Sequence, residues 1–437
     1  LIDSPLFAGV HYRRIDLDPG GRSPVNIDIF ADSASSIAPT HEQITILRQL
    51  VTQADRLFGA RHYDHYNFLM AMTDKLGGIG LEHHRSSENS VDPGFFTNWS
   101  NKFGDRDLLA HEYTHSWNGK WRRPAGQYVA NYNIPLQNEL MWVYEGQTQF
   151  WGKVLAARSG LMTKDQALDA LAMDAATFDN RVGREWRAMQ DTVNDPIISM
   201  RQPKGWLSWQ RDEDYYVEGL LIWLDADTLI REKTNGRKSL DDFAKAFFGT
   251  NDGEFNEAPY SFEDVVATLN GVVPYDWATF LRTRLDSHGQ TPDTRGAPLD
   301  GLARGGYRLI YTDAKNPWQK TLESGLGRNN FMYSLGVQTN AGNTINAVQW
   351  DGPAFKAGLA IGMQIIAVNG EAASASLIAD AITAAKGGTA PIELIVKDGD
   401  HYRTVSVDYH EGLRYPRLER IPGTPDRLSE LYTPRRS

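Results

Sequence analysis

His111 and His115 stand four residues apart in the run His111-Glu112-Tyr113-Thr114-His115. On a helix, positions four apart project about 40° from each other, so both imidazoles face one point. That supplies two nitrogen ligands for a divalent cation of the Zn²⁺ kind. Glu112 projects about 100° away from His111. It stands beside the metal, as a base that takes a proton from a water activated there. A chain with 11 histidines carries this pattern by chance roughly once in a hundred. The competing reading is a surface helix that happens to bear two histidines.

A catalytic site of this kind needs a third protein ligand and an open position. The chain contains no cysteine, which removes thiolate sites, disulfides and cysteine nucleophiles together. The third ligand must then be a carboxylate or another histidine. Glu145 lies in the apolar run Leu140-Met141-Trp142-Val143-Tyr144-Glu145-Gly146, where a carboxylate is costly unless paired or bound to a cation. Glu139, His83 and His84 are the other candidates. Glu139 sits near a helix start, where the helix dipole accounts for an acid. A strand would turn His83 and His84 to opposite faces. The buried-charge argument favours Glu145.

These residues need a scaffold. Thr40-His41-Glu42-Gln43 is a capping box, with a helix to about Phe58 behind it. Residues 62–72 read as a strand, and Gly77-Gly78-Ile79-Gly80-Leu81-Glu82-His83 as a glycine-rich approach to a second one. A helix over 106–118 carries the two histidines. Residues 138–286 read as helical almost throughout, with one helix over 140–158, another over 214–233, and a Pro- and Trp-containing loop at 195–211. A turn-rich stretch at 289–298 precedes short alternating strands. The division is a sheet-containing catalytic subdomain (1–135), a helical catalytic subdomain (136–290), a linker (291–310), a β-rich domain (311–412) and a C-terminal tail (413–437).

The length of 437 residues suits two or three domains. Hydrophobic residues at 41% and charged residues at 23% exclude collagen-like, coiled-coil and wholly disordered classes. The balance of 45 basic to 55 acidic residues, a net −10, argues against a general nucleic-acid binder. No apolar run is long enough to span a membrane as a helix. The start at Leu1, with neither Met nor an apolar leader, reads as a processed or truncated product.

The stretch from His111 to Gly119, reading His-Glu-Tyr-Thr-His-Ser-Trp-Asn-Gly, resembles the H-E-x-x-H-x-W-x-G segment of aminopeptidase N-like zinc enzymes. Trp142-Val143-Tyr144-Glu145-Gly146 resembles their third-ligand helix. A longer segment, residues 116–144, separates His115 from Glu145 than in the aminopeptidase N family proper. That insert, Trp121-Arg122-Arg123-Pro124 and a PDZ-like segment near the C-terminus make the chain more similar to the glycyl aminopeptidase family of PDZ-containing zinc metallopeptidases. The likeness extends over nearly the whole chain, with that family's further N-terminal β domain expected to be missing.

The resemblance implies an α+β fold. A thermolysin-like zincin catalytic domain, with a small antiparallel sheet, the histidine-bearing helix and a mostly helical subdomain, would precede a β-rich PDZ-like domain. It implies one Zn²⁺ per chain on His111, His115 and Glu145, the gluzincin set. Tyr216-Val217-Glu218-Gly219 is similar to the family's Tyr-x-x-Gly helix, whose tyrosine donates to the developing oxyanion. Tyr215 is the rival one residue away, and either could be a core aromatic. Gly80-Leu81-Glu82-His83 resembles the G-x-M-E-N segment, which implies Glu82 as the anchor for the substrate α-amino group, with Gly80 and His83 in the same substrate-binding strand. His83 replaces the family's Asn. Asp225 and Asp227 are candidates to orient the histidine ligands.

Tyr333-Ser334-Leu335-Gly336-Val337 resembles a PDZ carboxylate-binding loop. Leu335, Gly336 and Val337 would offer backbone N–H groups to a peptide C-terminus, beside a groove helix at 376–386. The module could equally dock on the catalytic domain. The resemblance thus implies a zinc aminopeptidase acting on peptides with small N-terminal residues such as Gly or Ala, with Glu112 as general base. Alternatives are an endopeptidase with the same site, and a PDZ scaffold with a degenerate peptidase domain. The family implies a periplasmic or secreted location. No nucleic-acid partner and no membrane span are expected.

Overall fold

A computed structural model describes residues 6–200, 202, 204–289 and 299–436. The turn-rich stretch at 290–298 lies outside the described residues. The catalytic end is built on a five-stranded sheet: β1 (His11–Asp16), β2 (Val25–Ala31), β3 (Tyr66–Met72), β4 (Ile79–Glu82) and β5 (Ser86–Val91), in the order β1-β2-β3-β5-β4. The expectation of an antiparallel sheet needs correction. β2 and β3 run parallel, as do β3 and β5, while β1–β2 and β5–β4 are antiparallel. The helix α1 (His41–Phe58) is the crossover that a parallel β2–β3 pair requires. Its Thr40–Gln43 capping box fixes where that helix begins.

β4 is an edge strand, paired only with β5 among the described strands. The histidine-bearing helix α2 (Leu108–Thr114) packs against both β4 and β5. The helix expected over 140–158 is two: α3 (Met141–Tyr144) and α4 (Gly146–Ser159), interrupted at Glu145. α4 runs through the main core, packed on α1, α2 and the helix Val217–Thr234.

The second core is β-rich and runs from Phe331 to Tyr409. The expected boundaries around it shift. Asp300–Arg304 of the expected linker is a helix on the helix Val217–Thr234, and Tyr307–Thr312 is a strand. The expected C-terminal tail is ordered too. Tyr415–Arg420 pairs antiparallel with Tyr307–Thr312, and the helix Arg427–Tyr432 buries Leu428, Leu431 and Tyr432 in the main core. The β-rich unit is therefore an insertion between two strands anchored on the catalytic body. No helix among the described residues is long and apolar enough to cross a membrane.

The carboxylate-loop expectation fails on hydrogen bonding. The N–H of Gly336 donates to the Phe331 carbonyl at 3.0 Å. Val337 is paired with Phe331 on one side and with Val348 on the other. The edge where a peptide would add is filled by the chain's own strand Arg328–Phe331, and Leu335 is buried. Leu335 is thus a core residue, Val337 a core and ladder residue, and Gly336 a turn residue whose N–H is already bonded.

Candidate metal centre and active site

The His111 and His115 Nε2 atoms lie 3.1 Å apart. Glu145 Oε2 is 3.4 Å from the first and 3.3 Å from the second. A tetrahedral cation with ligand bonds of about 2.1 Å separates its donors by about 3.4 Å. All three groups turn one lone-pair-bearing atom to the same point, and Glu145 Oε2 is buried with no hydrogen-bond partner. Acceptors facing acceptors are unfavourable unless a cation or protons lie between them, so these side chains fit a divalent ion.

The local folding explains how they converge. α2 ends in a turn closed by Asn118, whose Nδ2 donates to the Val143 and Tyr144 carbonyls and to Thr148 Oγ1 at 2.8, 3.2 and 3.0 Å. That residue staples the exit of α2 to the α3–α4 break. The Asn118 carbonyl also accepts from His115 Nδ1 at 2.9 Å, orienting the ring. Trp117 stacks on Phe58 and donates to the Ala60 carbonyl, fixing the same turn to the end of α1. Gly152 lets α4 approach α2, because a Cβ there would lie 3.1 Å from His111 Cα.

Glu112 is 4% exposed, and its Oε2 is buried without a hydrogen-bond partner. Burial pushes its carboxyl up to about 8, with Glu82 and Glu145 adding to the rise and His111 opposing it. Burial also acts to raise Glu145, but His115 and His111 outweigh it and hold that carboxyl well below the usual range. Gly80 sits against the Glu112 carboxylate, and any side chain there would collide with it. Carboxylate oxygens of Glu82 and Glu112 and a His115 nitrogen lie within 4.8 Å of one another.

Tyr144 donates from its hydroxyl to Glu82 Oε1 at 2.6 Å, and Lys120 Nζ is 3.5 Å from the same oxygen. Burial acts to raise Glu82, yet His115 and Lys120 hold it below its ordinary value. Lys120, Tyr144 and Asn118 escaped the sequence reading. Asn118 lay inside the quoted motif, whereas nothing in spacing or charge pattern marks Lys120.

Tyr216 opens the helix Val217–Thr234 and stacks over His111 with ring centres 6.2 Å apart. It lines a cavity of about 540 Å³ together with His111, Glu112 and Gly80. Tyr215 is fully buried in the core. The pair is thereby separated: Tyr216 faces the site and Tyr215 does not.

Three expectations are corrected here. His83 follows β4 in the turn to β5 and is buried, with Nε2 3.3 Å from Glu88 Oε1, so it packs against β5 and not along the substrate edge. Asp225 pairs with Arg284 and Arg304. Asp227 pairs with Arg231 and caps Leu240 N. Both aspartates hold helices together, and neither bonds a histidine ligand.

Residues 105–222 match the family described as M61 glycyl aminopeptidase. That segment, about a quarter of the chain, is similar to the M61 family. M61 peptidases are metallopeptidases, and the matched segment spans α2, the Glu145 break and Tyr216. The structure also resembles the crystal structure of an aminopeptidase N family protein from Idiomarina loihiensis, with a TM-score of 0.74 at 19% identity over 97% of this chain and 71% of that one. That likeness carries the fold. No curated protein matches the chain. The match supports a peptidase of aminopeptidase type.

Proposed function

We propose that this protein is a zinc-dependent aminopeptidase that removes small N-terminal residues such as Gly or Ala from peptides. The observation carrying this reading is the meeting of Glu82, Glu112 and His115 within 4.8 Å, at the end of an open edge strand. His111, His115 and Glu145 would hold the zinc. When bound, the ion supplies Lewis acidity that polarises a peptide carbonyl and acidifies water. Glu112 Oε2, buried and without a partner, accepts the proton of the attacking water and then returns it to the leaving amine. The Tyr216 hydroxyl donates to the oxygen that gains charge as the carbonyl is attacked. Glu82 receives the substrate ammonium, and the β4 edge hydrogen-bonds the peptide backbone. Tyr144 and Lys120 close on Glu82, an arrangement that would suit a short first residue.

One observation favours a second reading. Lys120 already sits beside Glu82, and if it stays there the same chemistry cuts within chains. Ala-p-nitroanilide against its N-acetylated form separates the two. The aminopeptidase reading expects hydrolysis of the free form alone, and equal rates would overturn it. The PDZ-like insertion is read as a docking module, supported by its aromatic contact with the loop 195–211.

A further inference from the structure

The cavity beside the reactive centre has one sign of charge. Asp74, Asp92, Asp105 and Asp107 line it together with Glu112, and neither Lys nor Arg does. Asp92 is matched by Lys102 at 2.9 Å and Asp74 by Lys75. Among the described residues Asp105 and Asp107 have no ion pair. Asp107 stands at the N-cap of α2 but its side chain makes no capping bond, so its carboxylate is not consumed by the helix. Although Asp105 is an exposed residue, partial desolvation in the cavity wall and the nearby Asp107 and Asp92 raise its carboxyl, as expected where like charges crowd a concave surface. Glu112, the proposed base, also faces this space with a 4% exposed side chain and a buried, unpaired oxygen.

The cavity has a direction relative to the scissile bond. β4 runs from the cavity-lining residues Ile79 and Gly80 to Glu82. A peptide laid on its open edge with its ammonium at Glu82 passes His111 and Glu112 and continues toward residues 77–80. The residues that follow the cleaved bond therefore enter the cavity. We propose that this cavity selects a cationic side chain, Lys or Arg, at the second or third position of the peptide substrate. The assignment of position rests on the reading of Glu82 as the ammonium anchor. Asp105 and Asp107 are its specificity-determining residues, and the same charges disfavour a free carboxylate, so the site is matched to peptides longer than dipeptides.

The test uses two amidated series, Ala-X-Ala-Ala-NH₂ and Ala-Ala-X-Ala-NH₂, with X as Lys, Gln or Glu. At low ionic strength kcat/KM for Lys is expected to exceed that for Glu by about tenfold in at least one series, as two partly exposed carboxylates allow. The ratio should fall to within about threefold when salt is raised from about 50 mM to about 500 mM. It should fall likewise in Asp105→Asn/Asp107→Asn. Ratios within about twofold in both series at low salt would overturn the proposal, as would a preference that neither salt nor the double variant reduces. If the double variant does not fold, the salt series on the unaltered protein decides. N-acetylated peptides keep the two readings apart. Cleavage of the acetylated series would sink the aminopeptidase assignment, while the position of Lys relative to the mapped cut would still uphold or sink the charge preference.

Discussion

Gly146 and Gly219 touch through their Cα atoms: a Cβ built on either one would lie 2.8 Å from the Cα of the other. A Cβ on Gly146 would also lie 2.6 Å from the Tyr215 carbonyl. Gly146 directly follows Glu145, and Gly219 lies three residues after Tyr216. This crossing of α4 and the helix Val217–Thr234 brings Glu145 and Tyr216 to one site. Backbone cannot yield as a side chain can. Gly146→Ala and Gly219→Ala are each expected to cost about 3 kcal/mol. Thermal melting should read that as a fall of about 3–5 °C, accompanied by reduced kcat at 25 °C. An alanine variant that melts like the parent would show that the crossing tolerates a methyl group.

Metal content separates ligands from the base. Glu145→Gln and His115→Ala are expected to lose stoichiometric zinc after dialysis, measured by elemental analysis. Glu112→Gln should keep about one zinc per chain and lose about 10²–10⁴-fold in kcat. Zinc lost from Glu112→Gln would move Glu112 into the ligand set.

The two adjacent tyrosines should part in kinetics. Tyr216→Phe removes the hydroxyl and is expected to lower kcat about 10²-fold, near 3 kcal/mol, with KM changed far less. Tyr215→Phe should show its effect in the melting temperature instead. A larger kcat loss at Tyr215 would reverse the assignment.

The insertion is held by an aromatic cluster. Trp350 stacks on Trp209 at 5.0 Å and meets Trp206 and Phe355, while its backbone N–H donates to Ser208 Oγ at 2.9 Å. The same loop carries buried Arg211, bonded to Asp214 and Glu218 just around Tyr216. Trp350→Ala should destabilise by about 3–5 kcal/mol and speed hydrogen exchange at 204–211. Unchanged exchange there would show that docking is maintained elsewhere.

Asp241 fastens the C-terminal segment, accepting from Arg158 at 2.8 and 3.0 Å and from Arg435 at 2.7 Å. Burial acts to raise its carboxyl, but the two guanidinium groups hold it well below the usual range. A depressed folded-state value means that this stabilisation is present above the unfolded value near 3.8 and is lost as pH falls below it. Asp241→Asn leaves Arg158 buried without its counter-ion and is expected to cost about 3–5 kcal/mol. Its melting temperature should also drop less than the parent's between pH 5 and about pH 3. A parallel fall in both proteins would exclude Asp241 as the acid-sensitive group.

Local rules made much of this legible. The capping box at Thr40 is formed where the sequence places it, because both partners lie within four residues. The direction of the sheet strands was not legible, since β2 and β3 are paired across α1 and nothing in either strand encodes the partner's sense. The break at Glu145 was hidden inside a continuous apolar pattern. His83 was misread because its partner Glu88 comes from strand pairing across a turn. The Leu335–Val337 loop was misread because motif similarity says nothing of which N–H groups are already used.

By itself the sequence determined the pairing of His111 and His115, the placing of Glu112 between them and the absence of cysteine ligands, because a helical period of about 3.6 residues fixes i,i+4 geometry without outside help. The tertiary structure alone decided that Glu145 and Tyr216 reach that pair, that Lys120 and Tyr144 close on Glu82, and that an acidic cavity lies beyond Gly80. Those relations depend on how closely backbones from distant segments approach. That distance is set by packing at glycines such as Gly146, Gly152 and Gly219, not by any local preference.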